Sequence, residues 1–104
     1  MKILLACAGG MSSAIAAKSL KEAAAKEGLD FEVHESSSSA FENEIAKDYD
    51  LALIAPQIRH RYDDLKKIGD KAEVPVLLIK PQGYTPIGGP FLLKQIKSEA
   101  SELF

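Results

Sequence analysis

Apolar positions along the chain follow two alternating periods. Ile3 to Ala6, Leu51 to Ala55 and Val74 to Ile79 are short uninterrupted apolar runs, the pattern of strands buried on both faces of a parallel sheet. Phe31 to Glu35 instead alternates apolar with polar, as a half-exposed edge strand does. Helical spacing fills the intervals. From Ser12 to Gly28, Ala16, Leu20, Ala23 and Ala24 share one face, Lys18, Lys21, Glu22 and Lys26 lie away from it, and Gly28 suits a C-terminal cap. A short second helix follows Ser39, which has capping-box spacing to Glu42, and turns Phe41 and Ile45 inward. A third runs from about Ile58 to Lys67, with Ile58, Tyr62, Leu65 and Ile68 at helical spacing and Gly69 as its stop. The last opens at Gly88-Gly89-Pro90 and buries Leu92, Leu93, Ile96, Ala100 and Leu103.

The order βαβαβαβα predicts an α/β fold, an open four-stranded parallel sheet with helices on both faces and right-handed crossovers. The alternating second strand belongs at an edge and the continuously apolar first and third belong inside, which gives the order 2-1-3-4. The fourth strand takes the other edge, where Pro75 lacks only an N–H that has no partner strand. In that order the chain reverses direction across the sheet between strands 1 and 3, and a crevice opens at their carboxyl ends. Cys7 stands at its mouth, beside the loops Pro56-Gln57 and Pro81-Gln82-Gly83-Tyr84.

Composition narrows the picture further. The 104 residues, 46% hydrophobic and 27% charged, fit one globular domain spanning 1–104. A net charge of −2 disfavours nucleic acid, while a small phosphorylated ligand remains compatible. One cysteine makes neither an internal disulfide nor a structural zinc site, so no metal or cofactor is expected and a reducing, cytoplasmic setting fits best. The apolar start before Gly9 is too short for a signal-peptide core, and no run approaches a membrane span, so no direct membrane insertion is expected. Nothing in the pattern calls for an oligomer, and a monomer in isolation is expected.

The chemistry gathers at Cys7. Gly9 and Gly10 let the backbone N–H groups turn inward, Ser12 and Ser13 add hydroxyls, and the start of a helix completes an anion site. The same field favours a nucleophilic thiolate over a thiol. The plain alternative is a small buried hydrophobe at a strand end with a glycine turn after it. Phosphate loops of the G-x-x-x-x-G-K-[ST] type, G-x-G-x-x-G fingerprints and the C-x-x-C of thioredoxin-like proteins are all absent. Cysteine phosphoryl chemistry is what remains.

The segment Cys7-Ala8-Gly9-Gly10-Met11-Ser12-Ser13 resembles the C-x-x-G-M-S-[ST]-S loop of the enzyme IIB components of bacterial sugar phosphotransferase systems, lactose/cellobiose (chitobiose) class. The likeness extends to "DLALIAPQIRHR" and "VPVLLIKPQGYTPIGG", with Ala14 where the family pattern has its last serine. The resemblance implies a fold like that of low-molecular-weight tyrosine phosphatases. It also implies a phosphoryl carrier in which Cys7 takes the group from a phosphohistidine of the IIA component. Delivery would then be to a β-linked disaccharide bound by the membrane IIC component. The carrier would be cytoplasmic and bacterial, associating with the inner face of the membrane through IIC. Ala8, Gly9, Gly10, Met11, Ser12 and Ser13 would be the phosphoryl-binding loop.

Two other readings stand beside it. A phosphatase-like hydrolase needs C-x5-R and a general acid, but Ser13 occupies the arginine position, and the loop after the fourth strand offers Lys80, Gln82 and Tyr84 with no Asp. A non-catalytic anion- or nucleotide-binding module would use the loop without turnover. Met11, Pro56, Gln57, Arg59, Pro81 and Tyr84 form a candidate docking rim by topology. Arg59-His60-Arg61 follows the third strand within reach of phosphate or a partner, but a charge cluster at a helix start reads first as solvated; His34 reads as an exposed edge residue, and Ser36 to Ser39 as a loop and helix cap.

Overall fold

A computed structural model describes residues 1–7 and 11–103, with residues 11–13 in backbone only. Four strands, β1 (Lys2–Cys7), β2 (Glu32–Ser37), β3 (Leu51–Ile54) and β4 (Val76–Leu78), form one parallel sheet in the order β2-β1-β3-β4. Four helices, α1 (Met11–Lys26), α2 (Phe41–Ile45), α3 (Tyr62–Lys71) and α4 (Gly89–Glu99), cover both faces. The predicted order and the edge positions of the second and fourth strands hold.

The apolar runs divide by parity into two layers. Ile3, Leu5, Leu51, Leu53, Leu77 and Ile79 pack with Leu20 and Ala24 of α1 and with Leu92, Leu93 and Ile96 of α4. On the other face, Leu4, Ala6, Ala52, Ile54 and Val76 meet Phe41 and Ile45 of α2 and Leu65 of α3. Cys7, which strict alternation would send with Ile3 and Leu5, is packed in the α2–α3 layer. A buried hydrogen bond from the Gly89 N–H to Ser19 Oγ, 2.8 Å, ties the start of α4 to the middle of α1.

Several predicted boundaries move. β2 starts after Phe31 and runs through Ser36 and Ser37, which pair with Ala6 and Cys7, so half of the expected serine loop is strand. The Ser39 capping box does not form: Ala40 is the N-cap of α2, and its N–H donates instead to Ser37 Oγ at 3.3 Å. The third helix begins as a 3-10 turn over Pro56–Arg61 and its α-helical part continues past Gly69 to Lys71. Val74, Pro75 and Ile79 flank β4 without belonging to it, although the Pro75 carbonyl still accepts from the Ala52 N–H at 2.9 Å. Leu103 lies half-buried in a turn beyond α4.

Two helix ends show why Gly69 misled the pattern. At α1, the Gly28 N–H bonds Ala25 O and the Leu29 N–H bonds Ala24 O, the paired closure that requires a left-handed residue, and Gly28 supplies it with φ of 76°. At α3 the same closure joins Glu73 N–H to Asp70 O and Val74 N–H to Gly69 O, and the left-handed residue is Glu73, φ 59°. Gly69 has a different task, the close approach of α3 to β4.

Candidate functional site

Because all strands are parallel, their carboxyl ends gather on one edge: Cys7 of β1, Ser37 of β2, Ile54 of β3 and Leu78 of β4. Cys7 is paired with Ser37, and the Ala55 N–H extends the other side of β1 by bonding Ala6 O at 2.9 Å. The cysteine is therefore fixed between both neighbours at the point where the sheet order reverses. Its side chain is buried, 6% exposed, and its S–H donates to the Ser36 carbonyl at 3.6 Å. A carbonyl accepts only from the protonated thiol, so a thiolate attacking a substrate must turn away from Ser36. α1 opens at Met11, four positions after Cys7, so the anion site expected there would join a strand end directly to a helix start. Ala8, Gly9 and Gly10 and the side chains of Met11, Ser12 and Ser13 lie outside the described residues.

Of the candidate docking rim, three residues line one cleft. Pro56, Arg59 and Pro81 meet around a cleft of about 270 Å³, together with Leu78, Ile79 and Lys80. Gln57 is exposed beside it, and Tyr84 is half-buried and touches the hydrophobic layers on both faces of the sheet. Met11 belongs to the rim by chain position alone. A second hollow of about 310 Å³ lies between the segment after β4 and α4, lined by Lys80, Gln82, Phe91, Lys94, Gln95 and Glu99 among others.

The basic cluster separates into distinct roles. Arg59 Nη1 donates back to Pro56 O at 3.4 Å and faces the β4 side, whereas Arg61 Nη1 donates to Ser38 Oγ at 3.3 Å, just past the end of β2. His60 is exposed. His34 is on the edge strand as expected, but it is bonded to Glu32 at 2.9 Å and stands edge-on to the Tyr49 ring. Gln95, unmarked by the sequence reading, is 7% exposed and seals the free edge of β4: its Nε2 donates to Leu78 O at 2.7 Å and its Oε1 accepts from the Lys80 N–H at 3.1 Å. A lone glutamine on an otherwise apolar helix face was the available signal.

Displaced ionisations gather around Tyr49, which stands just before β3 and meets Lys2 of β1 and His34 of β2. Burial pushes the Tyr49 phenol up, with the charge of Glu44 adding to it. The His34 hydrogen bond holds the Glu32 carboxyl below its usual range, and the Glu44 hydrogen bond raises the Lys47 ammonium. Among the described residues, no group of His, Cys, Asp or Glu is arranged to hold a metal ion, and no helix is long and apolar enough to cross a membrane.

Comparison with known proteins bears on this site. The family described as PTS system, lactose/cellobiose-specific IIB subunit, matches residues 2–85. A galactose-specific EIIB component of Lactococcus lactis subsp. cremoris is 33% identical over 95 residues, covering 88% of each chain. A lactose-specific EIICB component of Streptococcus mutans is 35% identical over 86 residues, 83% of this chain and 15% of that one. Among solved structures, the lactose-specific IIB component domain of Streptococcus pneumoniae superposes with a TM-score of 0.75 over 91% of this chain and 95% of its own, at 22% identity.

Proposed function

The chain belongs to the lactose/cellobiose-specific IIB subunits of the sugar phosphotransferase system, and from that membership we propose that it is a phosphoryl carrier acting through a phosphocysteine at Cys7. The observation that carries the reading is the placement of the chain's only cysteine at the carboxyl end of β1, at the reversal of the sheet and just ahead of α1. The donor is a phosphohistidine of a IIA component. The Cys7 thiolate gives an electron pair to phosphorus, the S–P bond forms as the N–P bond breaks, and the imidazole nitrogen leaves with its pair. In the second half, a hydroxyl oxygen of a β-linked disaccharide bound by IIC attacks phosphorus. The sulfur departs as thiolate and the hydroxyl proton passes to solvent or a base. Amides and hydroxyls of residues 8–13 would hold the equatorial oxygens in both halves.

The name EIICB of the Streptococcus mutans relative supports IIC as the acceptor-bearing partner, since it puts both component letters on one polypeptide. Residues 1–104 act as one IIB domain, monomeric when isolated, at the inner face of the membrane where IIC presents the sugar. Pro56, Gln57, Arg59, Pro81 and Tyr84, with Met11 by chain position, form the rim on which the partners dock. Hydrolysis is disfavoured because Ser13 stands where a phosphatase has its arginine and the segment from Lys80 to Thr85 contains no Asp.

Incubation with a phosphohistidine-charged IIA protein tests the reading. The expected result is one phosphoryl group per chain, visible as a thiophosphate resonance in phosphorus NMR that persists for minutes after the donor is removed. Release of inorganic phosphate within seconds would replace the carrier by a hydrolase.

A further inference from the structure

The proposed phosphoryl loop contains no basic residue between Cys7 and Ser13, so a dianion on sulfur would find only neutral donors there. The fold brings one guanidinium to the same place from elsewhere. Arg61 ends the turn that follows β3, and its Nη1 reaches Ser38, the residue after Ser37. Ser37 is the partner of Cys7 in the β1–β2 register. In the order β2-β1-β3, a side chain that starts on the β3 side and bonds to the β2 side must pass the end of β1, and β1 ends at Cys7. The α2–α3 layer, in which Cys7 is packed, is also the layer whose two helices begin just after Ser38 and Arg61.

The state of this arginine also points to an anion. It is half-buried, its partner Ser38 is a neutral hydroxyl, and among the described residues no carboxylate pairs with it. A guanidinium carries five N–H donors, so several remain for a second acceptor. Arg59 is not equivalent, because it folds back onto Pro56 and lines the cleft on the β4 side. We infer that Arg61 is the cation of the phosphoryl site: held across the end of β1 by Ser38, its guanidinium pairs with the dianionic phosphoryl group carried by Cys7. The inference rests on the phosphocysteine reading above. It supplies from the start of α3 the charge that a phosphatase-type arginine would supply from the loop itself.

The test compares wild type, Arg61→Met, Arg61→Lys and Ser38→Ala, each charged by the same phosphohistidine-bearing IIA protein and titrated by phosphorus NMR. Loss of a nearby unit charge should move the second ionisation of the phosphocysteine upward by about 0.5 pH unit or more in Arg61→Met. Its phosphorylation rate should fall about tenfold or more. Arg61→Lys should retain most of both. Ser38→Ala, which loses the hydrogen bond that holds the guanidinium but keeps the cation, should shift the same ionisation upward by less than Arg61→Met does. Identical titration of wild type and Arg61→Met overturns the inference, as does a Ser38→Ala protein that behaves like Arg61→Met, for Arg61 would then be a strut for the loop. If Arg61→Met fails to fold by circular dichroism, Arg61→Gln serves as the uncharged variant under the same criteria. A wild-type protein that never acquires the thiophosphate resonance overturns the phosphocysteine reading itself, an outcome visible before any variant is made.

Discussion

Gly69 of α3 lies so close to Val76 of β4 that a Cβ on the glycine would stand 2.2 Å from Val76 Cγ2 and 3.0 Å from the Val74 carbonyl oxygen. Neither obstacle is the tip of a flexible side chain. Gly69→Ala should therefore destabilise the fold by about 2–3 kcal/mol in urea unfolding, through displacement of α3 from the sheet. The double variant Gly69→Ala/Val76→Ala should lose less than the sum of the two single changes, since removing Cγ2 relieves the first clash.

Glu73 holds the left-handed position that closes α3, with φ of 59°, a conformation that disfavours a side chain by about 1–2 kcal/mol. Replacing it by glycine removes that penalty and adds back some unfolded-chain entropy. Glu73→Gly should raise stability by about 0.5–1 kcal/mol, measured as an increased denaturation midpoint at unchanged slope.

Gln95 answers the exposed edge of β4 by bonding Leu78 O and the Lys80 N–H with one amide. Gln95→Leu leaves both backbone groups without that partner and should cost about 2 kcal/mol. The opened strand edge should also raise self-association in light scattering. Gln95→Glu is sharper. Its carboxylate can accept from Lys80 but opposes the Leu78 carbonyl, so the variant should be least stable at neutral pH and recover as acid protonates the new side chain.

Tyr49 gives a sign-defined pH dependence. Burial raises its folded-state ionisation above that of the unfolded chain, so the neutral phenol's contribution is complete below about pH 10 and is lost as pH rises through the folded value. Tyr49→Phe should flatten the alkaline limb of the stability profile and leave the neutral region nearly unchanged. An alkaline limb identical to wild type would contradict it.

What was legible in the sequence follows from how local each signal is. The uninterrupted runs at Ile3 and Leu51 and the alternation after Phe31 report burial on two faces or one, and that sufficed for the strand order. Boundaries set by tertiary contact did not show. Ser36 and Ser37 have little strand propensity of their own, and are strand because Ala6 and Cys7 pair with them. Gly69 looks like a helix stop until Val76 is placed beside it, and Glu73 does not look like one at all. At the proposed site, Cys7 stands out because thiol, glycines, serines and helix start lie within a few residues of one another. Arg61 and Ser38 meet from 23 residues apart. Gln95 reaches β4 from 15 or 17 residues away, and neither relationship leaves a local pattern.

If the transferred phosphoryl group resides on Cys7 sulfur, Cys7→Ser should fold and yet fail to carry it. Serine is nearly the same size and its hydroxyl can donate to Ser36 O as the thiol does, so unfolding stability should stay within about 1 kcal/mol of wild type. Phosphoryl transfer from charged IIA to the IIC-bound sugar should fall by at least about a thousandfold, because the hydroxyl is a far weaker nucleophile near neutral pH. Mass spectrometry of the acceptor protein should find the phosphoryl group on the peptide containing Cys7 in wild type and nowhere in the variant. A folded Cys7→Ser protein that still carries phosphate and sustains transfer at the wild-type rate would contradict the account.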